Sequence, residues 1–109
     1  MDDLRQQVTV ALQEIGSTGL KRCHNIDEAG KVMREYDMIF HGEKFNKILS
    51  VELRHTLKNK FKVELTTDDL NKMLPSICKS LGMTIEPLIS ANDAGNPNPE
   101  VIAYSITIY

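Results

Sequence analysis

KFKVELTTDDLNKMLPSICKSLGMTIEPLISANDAGNPNPEVIAYSITIY, residues Lys60–Tyr109, is the stretch whose reading decides the fold. Val63-Glu64-Leu65 alternates apolar and polar, the period of a short strand. Thr66 or Thr67 then caps a helix with Asp68 and Asp69 in its first turn, where the helix dipole favours carboxylates. Leu70, Met73 and Leu74 supply its inward face. Pro75 should interrupt that helix, because its ring clashes with the preceding turn and disfavours helical geometry at Leu74. Proline also suits a first helical position, so a separate helix is expected over Pro75–Leu81, stopped by Gly82. Met83–Ser90 reads as a strand, and Pro87 marks it as an edge or bulged one. Ala91–Pro99 is dense in turn formers. Val101–Tyr109 alternates again, with Ile102, Tyr104, Ile106 and Ile108 on one face. No Lys or Arg occurs from Met83 to Tyr109.

Outward from that stretch, the amino-terminal part is helical. Leu4, Val8, Ala11, Leu12 and Ile15 fall at helical spacing, predicting an amphipathic helix over 2–15. Asp2 and Asp3 suit its positive end, and Gly16 with Gly19 would stop it. Asn25 and Glu28 have the form of a capping box for a second helix over about 26–40, with Ala29, Val32, Met33, Tyr36 and Phe40 or Ile39 buried. Gly42 would end it, and Gly30 would allow close helix packing. Phe45, Leu49, Leu53, Leu57 and Phe61 recur every four residues, so a continuous third helix is expected from about Glu43. The alternative is a break near Ser50, itself a good cap.

From about Glu43 to Tyr109 the expected order is helix, strand, helix, turn, helix, strand, loop, strand. Val63-Glu64-Leu65 supplies the first strand, Thr66–Met73 the second helix, Pro75–Gly82 the third, and Ala91–Pro99 the loop. That order resembles the winged-helix branch of the helix-turn-helix superfamily. The resemblance implies an α+β fold: a winged-helix-like module over 43–109, with a two-helix amino-terminal extension over 1–42 and a carboxy-terminal β-hairpin, all in one domain. It also implies binding to nucleic acid or protein, with the third helix facing a major groove and the loop serving as the wing.

Charge bears on which partner is meant. The 109 residues carry a net charge of −2. Residues 1–43 hold eight acids and five bases, residues 44–62 one acid and six bases, and residues 63–109 six acids and two bases. Phosphate contacts from Lys and Arg supply much of the affinity for nucleic acid. The third helix offers only Lys79, beside Ser76 and Ser80, while the wing offers Asp93 and Glu100. On one continuous helix Lys44, Lys47, Arg54, Lys58 and Lys62 would fall within about 80° of one another, a positive stripe able to meet a phosphate backbone. Val51 lies inside it.

Chemistry is thinly represented. Cys23-His24 is the only adjacent pair of soft metal ligands, and His41, His55 and Cys78 follow no metal spacing, so no metal or other cofactor is expected. Cys78 falls among Ile77 and Leu81 as a buried thiol would. No nucleophile-elbow, paired-carboxylate or phosphate-loop pattern occurs, and no small-molecule substrate is inferred. Two widely spaced cysteines suit a reducing cytoplasm. No apolar run is long enough to cross a bilayer, and Met1-Asp2-Asp3 lacks the basic start of a secretory signal. The expected function is therefore that of a non-enzymatic module for protein association, homodimerisation included, through Tyr104, Ile106, Ile108 and Tyr109 of the hairpin. The alternative is a DNA-binding regulator or nucleic-acid accessory factor. It would use Lys44, Lys47, Arg54, Lys58 and Lys62 on the backbone, with Ser76, Lys79 and Ser80 toward the bases.

Overall fold

Helix α1 (Asp2–Arg22) opens the computed structural model, which describes residues 2–109. It is followed by α2 (Ile26–Tyr36), β1 (Lys47–Leu49), α3 (Ser50–Asn59), α4 (Thr67–Leu81), β2 (Thr84–Ile89) and β3 (Val101–Thr107). The strands form one antiparallel sheet in the order β1-β3-β2. The class is α+β, as expected.

α1 is longer than its apolar spacing suggested. It passes through both glycines instead of stopping at them, and Val8, Ala11, Leu12, Ile15 and Cys23 are buried along one stripe. Gly16 and Gly19 continue that stripe as a notch. A Cβ on Gly16 would stand 2.9 Å from the Ile108 carbonyl oxygen, and one on Gly19 would stand 2.6 Å from Cε1 of Tyr109. The glycines admit Ile108 and Tyr109, just beyond β3, against the helix, a packing role that only the fold could assign. The expectation for Asp2 at the helix start lies outside the described side chains.

Asn25 caps α2 as expected, its side chain accepting from the Glu28 amide at 2.9 Å. The helix ends at Tyr36, four residues short of the expected boundary, because Asp37 turns left-handed at φ 51°. Met38 and Phe40 beyond it remain buried and reach the core from a connection, not from a helix. Tyr36 joins three elements. Its hydroxyl donates to Glu14 of α1 and also meets Thr18, both at 3.1 Å, while its carbonyl accepts from buried Thr56 of α3 at 2.8 Å. Its ring stacks on Phe61, with centroids 6.3 Å apart.

The continuous third helix is not present; the chain takes the break at Ser50. Residues 41–47 form a tight loop, in which His41 and Lys47 exchange backbone hydrogen bonds and Gly42 and Phe45 both have positive φ. β1 follows at once, and Ile48 disappears into the core beneath it. Ser50 is the first residue of α3, and its hydroxyl accepts from the Tyr104 amide of β3 at 2.9 Å. A helix start is thereby tied to the central strand.

Two further expectations are overturned. Val63-Glu64-Leu65 is an extended connection outside the sheet, since the third strand position is taken by β1. Pro75 does not divide the next helix; it lies inside α4, and no second helix begins there. Leu70, Met73, Leu74, Ile77 and Cys78 are buried in a single phase across the proline, whereas Pro75 itself is exposed. Burial of that unbroken stripe outweighs one lost hydrogen bond, on the side of the helix where water can reach the orphaned carbonyl. Thr66 is the cap, accepting from the Asp69 amide, and Gly82 closes the helix at φ 71°.

In the sheet, Ile48 of β1 and Ile85 of β2 both oppose Ile106 of β3, so the three share the face covered by helices. The register slips between Leu88 and Ile89, where Ile89 pairs with Val101 and leaves Ile102 over. Ile102 therefore departs from the expected single face and is 50% exposed. β2 is an edge strand, as Pro87 implied.

Candidate functional site

The five residues of the proposed positive stripe do not lie on one helix. Lys44 sits in the loop before β1, Lys47 on β1, Arg54 and Lys58 on α3, and Lys62 beyond its end. Two of them have structural duties. Arg54 donates from Nε to the Leu65 carbonyl at 2.9 Å, and Lys62, itself left-handed at φ 59°, donates to the Asn59 carbonyl at 3.1 Å. The stripe was a consequence of assuming a continuous helix, and it dissolves where Ser50 starts a new one.

Ser76, Lys79 and Ser80 are exposed on α4, together with Lys72. Arg5 of α1 donates to the Ser76 hydroxyl, which brings a third base to that face. The hairpin residues fare differently. Ile106 and Ile108 are buried within the chain and offer no surface to a partner, while Tyr104 and Tyr109 are half-buried. The Tyr109 hydroxyl is shared between the carbonyls of Lys44, at 2.8 Å, and Phe45, at 2.9 Å. Burial first, then the neighbouring Cys23, pushes its phenol up to about 12. Burial alone pushes the Cys78 thiol up to about 11.

A groove of about 790 Å³ is lined by α3, the connection after it, the first turn of α4 and Leu4 of α1. Leu4, Val51 and Leu65 give it an apolar floor, of which Val51 is 50% exposed. From α3 the lining includes Arg54, His55 and Lys58, and from the connection and α4 it includes Glu64 and Asp69. His55 is already engaged with Asp37 at 2.8 Å and with Asn59 at 2.9 Å. Among the described residues, the ion pairs are Arg22–Glu35 and His55–Asp37. Arg54, Lys58, Glu64 and Asp69 line the groove without forming ion pairs.

Val51, Arg54 and Lys58 are the groove residues that the sequence singled out, as members of the expected positive stripe. Glu64, Leu65 and Asp69 were missed as a site because residues 63–65 read as a strand and the aspartates as capping groups. Asp69 does occupy the first turn of α4, so its two roles coincide.

No family model matches the chain, and comparison with curated proteins and with solved structures gives no match to either. No helix among the described residues is long and apolar enough to cross a membrane.

Proposed function

We propose that the chain is a non-enzymatic interaction module of the winged-helix type, which associates with protein through the groove on α3. The architectural part rests on element order. From α2 onward the chain runs helix, strand, helix, helix, strand, loop, strand, with sheet order β1-β3-β2. On this reading β1 and α3, not residues 63–65 and 66–73, are the first strand and second helix of the module. α4 is the third helix, residues 90–100 form the wing, and α1 is the addition. The unpaired, buried thiols of Cys23 and Cys78 fit a reducing cytoplasmic setting.

One observation carries the functional part: an apolar floor with a half-exposed valine, beside Arg54, Lys58, Glu64 and Asp69, none of which is in an ion pair. Protein interfaces combine such a floor with a polar rim. Replacing Val51 by a photocrosslinking residue should yield protein adducts on irradiation in cells. The same residue at Ile102, equally exposed but at the start of β3, should not. Absence of adducts from position 51 overturns the reading.

A second reading, binding of nucleic acid, is favoured by Lys72 and Lys79 on the exposed side of α4 with Arg5 beside Ser76. It expects anisotropy of labelled duplex DNA to rise with the protein at low salt and to fall steeply at physiological salt.

A further inference from the structure

We infer that residues 42–46 form a flap with the Tyr109 hydroxyl as its catch, and that releasing the catch uncovers the Cys23 thiol. The base of the flap is fixed, because His41 and Lys47 exchange backbone hydrogen bonds at 2.8 and 3.1 Å. Between them Gly42, Glu43 and Lys44 are exposed, and Phe45 and Asn46 are half-buried. Little apolar surface therefore holds the tip down. The tip is tied instead by hydrogen bonds to Ile108 and Tyr109. The Tyr109 hydroxyl donates to the carbonyls of Lys44 and Phe45, and the Asn46 side chain donates to the Tyr109 main-chain oxygen at 3.1 Å. The Asn46 carbonyl accepts from the Ile108 amide at 2.8 Å. Phe45 is left-handed at φ 54°, a conformation that costs a residue with a Cβ free energy and lasts only while its surroundings enforce it. Opening relieves that cost, so the flap is closed by its catch and not by its own backbone preference.

The closed flap covers the last turn of α1 and the residue after it. Cys23 donates its amide to the Gly19 carbonyl at 2.9 Å, and the Tyr109 ring lies over that turn, 2.6 Å from where a Gly19 Cβ would stand. Cys23 and Tyr109 line one cavity of about 330 Å³ with Leu20, Lys44 and Phe45, which gives the ring space to turn into. The thiol is 7% exposed while the flap is shut. Ile108 is buried in the core and stays there, so the opening is local. A segment with few buried apolar contacts opens at a small fraction of the free energy of global unfolding. The flap thus sets when Cys23 is accessible to solvent.

Alkylation of the full chain by iodoacetamide, with each cysteine followed by mass spectrometry, is the test. Cys78, 1% exposed within α4, reports unfolding of the whole core. Cys23 should react faster than Cys78 in the native chain, yet about tenfold or more slower than in the urea-unfolded chain. Urea below the unfolding transition should speed Cys78 and leave Cys23 nearly unchanged, because the flap exposes little surface as it opens. Tyr109→Phe keeps the ring and removes the catch, and should speed Cys23 about fivefold, the factor that one ordinary hydrogen bond corresponds to. Equal rates and equal urea dependence at the two thiols overturn the inference, for Cys23 is then uncovered only when the whole molecule unfolds. So does a Cys23 that reacts as fast in the native chain as in the unfolded one, or one whose rate Tyr109→Phe leaves unchanged.

Discussion

Gly19 and Gly30 show how differently two helix glycines behave. At Gly19 an added Cβ would meet the Tyr109 ring at 2.6 Å, but at Gly30 its nearest neighbour would be the Arg34 side chain at 3.7 Å. The gain in helix propensity from alanine is about 1 kcal/mol at either position. Gly30→Ala should therefore stabilise the chain by about that amount, and Gly30 is not the close-packing site its sequence context suggested. Gly19→Ala should instead destabilise it by about 1–3 kcal/mol, because Tyr109 must leave its place against α1. Urea denaturation of the two variants reads both signs. The notch was visible in principle: Ile15, Gly16, Gly19 and Cys23 prolong the stripe begun by Leu4 and Val8. Its occupant was not, since Tyr109 lies at the far end of the chain.

α4 exposes the limit of a local rule. Proline inside a helix costs up to about 3 kcal/mol relative to alanine, and that cost alone argued for two helices. The stripe Leu70, Met73, Leu74, Ile77, Cys78 argued for one, and it prevailed because each of those side chains is buried. Pro75→Ala should stabilise the protein by about 1–3 kcal/mol in chemical denaturation, as the exposed helix face regains a hydrogen bond without losing any packing. A neutral or destabilising result would mean that proline has a packing role there. α3 errs in the other direction. A run of apolar residues every four positions looked like one helix, but Phe45 lies in the turn before β1, Leu49 in β1, and Leu53 and Leu57 in α3. Period four is shared by a helix and by a strand that runs straight into one, so spacing could not separate them.

The buried side chains of all four helices and the sheet form one cluster, which includes Val8, Val32, Leu57, Ile77 and Ile106. Cys78 and Tyr109 lie at this core with their protonated forms favoured over the charged ones, the thiol pushed from 9 to about 11 and the phenol from 10 to about 12. A raised pKa of this kind gives stability that is complete below the unfolded value and lost as pH climbs through the folded one. Resistance to urea should accordingly decline between about pH 9 and 12. Tyr109→Phe should flatten the upper part of that decline. At neutral pH it should cost about 1 kcal/mol, since the Lys44 and Phe45 carbonyls lose their donor.

By itself the sequence determined the α+β class, the amphipathic faces of α1, α2 and α4, the cap at Asn25, a cap at Thr66 or Thr67, the stop at Gly82 and Pro87 as the mark of an edge or bulged strand. These depend on contacts within a few residues, which spacing and side-chain chemistry specify. Only the tertiary structure decided which segment completes the sheet, because β1 and residues 63–65 are both short and apolar, and pairing with β3 chose between them. It likewise placed Ile106 and Ile108 inside the core and brought Glu64 and Asp69 into one groove with Arg54 and Lys58. Those are long-range placements: burial and sheet register fix them, and neither is written in any one stretch of chain.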